Sequence, residues 1–329
     1  MRTIKYLAFA FLIFLFNASV GQVKFHKSHS SFKVVGYYFL RSALNDRTYA
    51  DSNYTFLNKI THLNIAFINP DTSGIFEQSL AIDTLIKKAH HKKVKVLASI
   101  GGGGSHEYFK TLLAENNRKA FILNILLLVK RYDFDGIDVD LEGSDITENY
   151  GIFITELSAS LHHEKKLITA AIATTYKDLL PDIALKQFDF VNIMSYDLTG
   201  PWRPQDAGDH SPFSMAVDDL NYWHNERAIP KEKLVLGLPF YGYGFSPMDS
   251  PVVSMNYQQI SSLYPDNLNS DTLLMPGNVT MYFNNIATIK RKTKLAMQEG
   301  GGVMIWQLLG DAKGENSLLN AINEVANGK

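Results

Sequence analysis

Hydrophobic and polar positions follow two rhythms along the chain. Short runs rich in branched and aromatic residues occur at 33–39, 61–68, 94–100, 136–142, 167–173, 190–196, 234–238 and 302–306. Such runs, bounded by turn residues, read as β-strands. Longer stretches with apolar residues at helical spacing lie between them, notably 106–132, 146–163, 215–228 and 285–298, and another at 317–326 closes the sequence. Strands alternating with helices predict parallel pairing with right-handed crossovers. Eight β/α units in 329 residues predict an α/β fold, a single (β/α)8 TIM barrel, with an open doubly wound sheet as the competing arrangement. No linker, low-complexity tract or internal repeat divides the chain, so 22–329 reads as one domain. The stretch 246–283, between the seventh and eighth strands, is longer than its counterparts and predicts a small inserted lobe.

The first residues follow neither rhythm. Arg2 and Lys5 precede eleven apolar residues from Tyr6 to Phe16, and Asn17-Ala-Ser-Val-Gly follows. As a helix that run spans about 16 Å, short of the ~20 residues a bilayer requires. A charged start, a short apolar middle and small residues at a cut site predict a signal peptide over 1–21, with Gln22 opening the mature chain. An uncleaved anchor is the alternative. The expected protein is secreted or periplasmic, without stable membrane association, and monomeric.

Composition narrows the chemistry. With 46% hydrophobic and 20% charged residues, the chain is built to fold around a core. Lys and Arg total 32 against 33 Asp and Glu, a net charge of −1 that argues against nucleic-acid binding. Cysteine is absent, which removes disulfides, thiolate metal sites and cysteine nucleophiles together. Gly101–Gly104 follows a strand but lacks the Gly-Lys-Ser/Thr ending of a phosphate loop. Asn53 and Asn278 fit the glycosylation pattern, relevant in a eukaryotic host. His90, His91, His162 and His163 read as solvated helix faces, and Trp223 reads as core.

Side-chain parity supplies the candidate chemistry. Alternate residues of a strand share a face, so Asp138, Asp140 and Glu142 point one way while Ile137, Val139 and Leu141 point the other. In a barrel the apolar set meets the helices and the carboxylates face inward. Asp135 has the opposite parity and is expected to be structural. Tyr37, Ser99, Met194, Tyr196, Tyr241 and Trp306 lie near the ends of other strands, at the rim where barrel active sites form. Crowded carboxylates retain a proton, and Glu142, outermost, suits a general acid. All three stand on one strand and one side, so they do not flank a sugar as an acid and an enzyme nucleophile must. That placement favours a nucleophile within the substrate, such as a 2-acetamido oxygen. Three carboxylates also suit a hard cation, and this alternative stays open on spacing alone.

Asp135-Gly-Ile-Asp-Val-Asp-Leu-Glu142 resembles the DGxDxDxE signature of family 18 glycoside hydrolases, the chitinase family. Val35-Gly-Tyr-Tyr, Ile60–Phe67, Ser99-Ile-Gly-Gly, Met194-Ser-Tyr-Asp197, Gly237–Gly242 and Gly302–Trp306 resemble further family segments, in order along the chain. The resemblance, to a bacterial-type secreted member, implies catalysis without metal or cofactor on chitin or N-acetylglucosamine oligosaccharides. It implies that Glu142 protonates the glycosidic oxygen and that Asp140, backed by Asp138, Tyr37 and Ser99, orients the acetamido group. Tyr196 would donate to the acetamido carbonyl. Trp306 would form the floor under the sugar, with Met194, Asp197 and Tyr241 in the binding site; Trp202, after the sixth strand, reads equally as a platform for a leaving-group sugar or as a cover for its own loop. The implied reaction is a retaining, substrate-assisted hydrolysis. An endo-β-N-acetylglucosaminidase acting on glycoprotein glycans would use the same strand. A non-catalytic chitin lectin would typically lack the acid. Gly143 stands where many members carry an aromatic, Tyr243 where an arginine is frequent, and 246–283 reads as a trimmed lobe over a shallow cleft.

Overall fold

The computed structural model describes residues 32–39, 54–247 and 251–328. The expected signal segment and Asn53 lie outside them. The barrel strands are β1 (Lys33–Phe39), β2 (His62–Ala66), β3 (Lys95–Gly101), β4 (Gly136–Asp140), β5 (Leu167–Ile172), β6 (Phe190–Ile193), β7 (Leu234–Pro239) and β12 (Gly302–Trp306). They close in the order β1-β12-β7-β6-β5-β4-β3-β2, all parallel. This is the (β/α)8 architecture that the alternation predicts. Among the described residues no helix is long and apolar enough to cross a membrane.

Parity divides the core into two regions. Ile137, Val139 and Leu141 join the large cluster between strands and helices, with Phe153, Leu157 and the fully buried Trp223. Val35, Tyr37, Phe190, Val235 and Met304 form a second cluster inside the barrel. Helix ends follow local chemistry. Ser317 caps Leu318–Ala326 and Asn285 caps Ile286–Glu299, each side chain accepting a backbone N–H three residues on. The single helix expected over 106–132 is instead two, Tyr108–Leu113 and Glu115–Tyr132, because Ala114 adopts an extended conformation between them.

The inserted lobe begins earlier than expected and is better developed. Strands β8 (Tyr241–Phe245), β9 (Val253–Asn256), β10 (Thr272–Met275) and β11 (Val279–Phe283) form an antiparallel sheet in the order β10-β11-β8-β9. Helix Tyr257–Leu263 joins it, opened by an Asn256/Gln259 capping box. The glycines of Tyr241-Gly-Tyr-Gly-Phe245 disguise β8, since glycine is depleted in strands. Gly242 is required there: a Cβ would collide with the Tyr282 carbonyl oxygen of the paired strand. Its first strand, β8, carries Tyr241 and Tyr243 to Asp197 at the rim.

At the opposite, N-terminal face, two Asp–His pairs tie the strand entries together. Asp135 accepts from Val96 N at 2.8 Å and contacts His90 Nε2 at 2.9 Å. Asp189 repeats the arrangement with Ile168 N and His162 Nε2, at 2.9 and 3.1 Å. His90 and His162 thus have partners that a solvated-face reading omits, while Asp135 is structural as its parity implies. Replacing Asp135 with Ala should lower unfolding stability by about 1–2 kcal/mol, the scale of a lost partner for a strand N–H. Urea denaturation should show a lower midpoint with an unchanged slope.

Candidate active site

Strand register assembles the site around Asp138. Ser99 on β3 and Thr169 on β5 stand directly beside it across the ladders. Ser99 Oγ donates to Asp138 Oδ2 at 2.8 Å and Thr169 Oγ1 to Oδ1 at 2.6 Å. Tyr37 OH, from β1 across the barrel, donates to Oδ2 at 2.6 Å, and Asn192 Nδ2, from β6, to Oδ1 at 3.1 Å. Burial raises the Asp138 carboxyl, and these four donors oppose that effect. The four donors favour the ionised carboxylate, and burial, the larger effect, leaves its proton affinity above the ordinary value. Its oxygens are engaged, so a hard cation does not fit here.

Asp140 lies one step higher and is also buried, with its Oδ1 lacking a partner among the described residues. Burial raises its carboxyl well above the ordinary range, and the charges of Glu142 and Asp138 raise it further. Asp140 therefore binds a proton more readily than an ordinary carboxyl. Glu142 follows β4 at the rim. Burial first, with the charges of Asp197 and Asp145, pushes it up to about 7, while Tyr176 and His106 pull it down. A carboxyl titrating near neutrality at the mouth of a cleft is equipped to give a proton and take it back.

The other expected residues gather around this stack. Tyr196 is buried, and among the described residues its hydroxyl reaches only the Met304 sulfur, at 3.9 Å. Sulfur is a weak acceptor, which leaves that O–H ready for a stronger one. Trp306 packs against Tyr37, its ring centroid 5.4 Å away, and stacks with Phe67 at 5.7 Å. Met194 packs against the inner barrel cluster. Asp197, at a positive φ of 65°, accepts from Tyr241 OH at 2.6 Å and Tyr243 OH at 3.3 Å. Trp202 stands 55% exposed on the rim, edge-on to Tyr243.

Several contributors escape sequence reasoning. Tyr176, after β5, places its hydroxyl 3.4 Å from Glu142 Oε2. Its ring occupies the space that a side chain at Gly143 would meet. His210 is fully buried between Tyr241 and Tyr243, with Nδ1 3.5 Å from Asp197. Buried Lys292 donates to Ser211 Oγ and Asn284 Oδ1, both at 2.7 Å, and burial lowers its ammonium to about 8. Ser211 in turn donates to Ser195 O at 2.7 Å, securing the loop that carries Tyr196 and Asp197. These partners come from distant segments, Lys292 from the helix Ile286–Glu299, so spacing along the chain gives no sign of them. Among the described residues, no group of three or more His, Cys, Asp or Glu is arranged to hold a metal ion.

A barrel with three inward carboxylates on its fourth strand and an aromatic floor under the rim defines a class before any relative is consulted. The profile of the Glycosyl hydrolases family 18 matches residues 33–311, and this chain belongs to that family. It is similar to the crystal structure of the chitinase ChiB from the chitin utilization locus of Flavobacterium johnsoniae. The TM-score is 0.80 at 36% identity, over 90% of this chain and 94% of that one. A probable endochitinase of Caenorhabditis elegans is 27% identical over 277 residues, 67% of this chain and 44% of that protein. Human chitinase-3-like protein 2 is 29% identical over 187 residues, 48% of each. The chain spans about half the length of the curated relatives it matches.

Tyr176→Phe should raise the titration midpoint of Glu142, because the lost O–H favours the charged carboxylate. A carbon-13 NMR titration of the labelled carboxyl reads this directly. A midpoint that stays put or falls contradicts the assignment.

Proposed function

We propose that this protein is an exported chitinase that hydrolyses β-1,4 links between N-acetylglucosamine units by a retaining, substrate-assisted reaction. The observation that carries the reading is the order along and just past β4: Asp138 held by four donors, a buried Asp140 with raised proton affinity and a rim acid, Glu142, pushed up to about 7. Export rests on the charged and apolar pattern of residues 1–21.

The groups divide the reaction between them. Glu142 gives its proton to the glycosidic oxygen as the C1–O bond breaks. The sugar's acetamido carbonyl oxygen attacks C1, and the leaving sugar departs as an alcohol. Asp140 accepts a hydrogen bond from the acetamido N–H at one carboxyl oxygen while its own proton stays on the other, and Tyr196 O–H orients the carbonyl. The Glu142 carboxylate then takes a proton from a water that attacks C1, so two inversions restore the starting configuration. Trp306 supports the reacting sugar, while Trp202 offers an exposed face to the leaving side. Glu142 in place with both aspartates supports a hydrolase over a non-catalytic sugar binder.

The direct test is product analysis with the N-acetylglucosamine pentamer. The parent protein should release shorter oligomers and Glu142→Gln should be slower by about 10²–10⁴-fold, the range of a general acid. An intact pentamer with both proteins would redirect the search to glycoprotein glycans.

A second test uses pH. An acid must hold its proton, so kcat/KM should fall as pH rises through about 7. Stability has a related sign. With its folded value raised, Glu142 binds its proton more tightly in the native state, so its contribution is full below about 4.5 and is lost as pH rises toward about 7. Glu142→Gln removes that loss and should raise the melting temperature at pH 8 more than at pH 4.

A further inference from the structure

The loop after β3 and the turn after β4 are joined at successive positions beside the acid. Gly103 borders Glu142, a Cβ there lying 3.8 Å from Oε1. Ser105 Oγ and Ser144 Oγ are 3.3 Å apart. His106 then makes three contacts with Asp145: its backbone N–H donates to Oδ1 at 3.0 Å and Oδ2 at 3.3 Å, and ring Nδ1 lies 2.8 Å from Oδ2. Asp145 N–H donates to Glu142 O at 2.9 Å, closing the turn that carries the acid. The Asp145 side chain is 2% exposed and that of His106 is 22% exposed. A carboxylate this well buried needs its partners, and the paired ring is held against Phe109 and Tyr108 at about 5.8 and 5.7 Å between centroids.

We propose that the His106–Asp145 pair is a positioning device for Glu142, holding the acid's turn in place and balancing, with its two opposite charges, the acid's affinity for its proton. The inference rests on Glu142 being the catalytic acid. The charge of Asp145 makes the ionisation of Glu142 harder, and His106 acts in the opposite direction. The other titratable groups facing Glu142 among the described residues are Asp140 on the strand below, Tyr176 after β5, and Tyr196 and Asp197 after β6. Tyr108 faces Asp145 from the helix that follows the latch. Of the side chains whose charges act on Glu142 among the described residues, His106 is the one that eases its ionisation.

Two conservative variants separate charge from shape. His106→Asn keeps an N–H donor near the Nδ1 position and removes the positive charge. Asp145→Asn keeps an oxygen acceptor and removes the negative one. Pentamer hydrolysis is measured from pH 4 to pH 9, with the Glu142 carboxyl titrated by carbon-13 NMR and folding checked by thermal melting. His106→Asn should move the Glu142 midpoint and the alkaline limb upward, raising the rate at pH 8 relative to pH 5 by about twofold or more. Asp145→Asn should move both downward by a similar factor. A purely structural latch would lower activity in both variants without opposite displacements. Shifts in the same direction, or none, in folded variants overturn the proposal. If the parent does not cleave the pentamer, the NMR titration still decides between these outcomes, whereas failure of the acid assignment itself shows as full activity in Glu142→Gln.

Discussion

Placing three carboxylates along the inner face of one short strand is the demand around which the rest of this barrel is organised. A charge removed from water must find hydrogen bonds or lose its charge. Asp138 follows the first course, taking donors from β1, β3, β5 and β6. Asp140 follows the second, and Glu142 at the rim lies between the two. The donors to Asp138 converge because β3 and β5 are registered level with it, while Tyr37 and Asn192 reach across from other parts of the closed sheet. Closure of the barrel and the protonation gradient are therefore one construction.

The rim is built differently. Its groups stand on loops after separate strands, and each loop is secured by its own buried contact. Lys292 and Asn284 hold the Ser211 segment and so the loop bearing Tyr196 and Asp197. The Gly101–Gly104 stretch can pass over the end of β4 because Gly101 has φ of 104°, and a Cβ there would strike the Asp140 carbonyl oxygen. That bland role for the glycines agrees with their lack of a phosphate-loop ending. The barrel floor supplies a rigid proton gradient, and the loops adjust what the outermost carboxyl experiences.

How much of this was legible follows from the same division. Period-two alternation needs no tertiary information, so the inward face of β4 was readable from the residues, but Tyr37 and Ser99, expected at the rim, lie buried beside Asp138 below it. Strand ends were less readable. The sixth run reads as a strand to residue 196, yet pairing stops at Ile193, because Ser195 N–H turns back to Ile193 O and Asp197 takes a positive φ. Tyr176, His106 and His210 were invisible as site residues. Each reaches its partner across 34, 39 or 13 positions through the closed fold, and no periodicity encodes such a meeting. The lobe was underread for a local reason, the glycines that let β8 approach β11.

Gly143 shows why a missing side chain is a poor guide to a missing wall. Read along the chain, a glycine directly after the acid opens the cleft. In the fold, Tyr176 from the next loop fills the adjacent space and brings a hydroxyl to Glu142. An aromatic fixed to the acid's own turn would move with that turn. One carried by the loop after β5 is positioned independently and also donates to the carboxylate. The acid's proton affinity is consequently set by groups from the loops after β3, β5 and β6 acting on one carboxyl. Changes in any of these loops can retune the site while the Asp138 network below stays intact, which is how a fixed barrel accommodates varied rims.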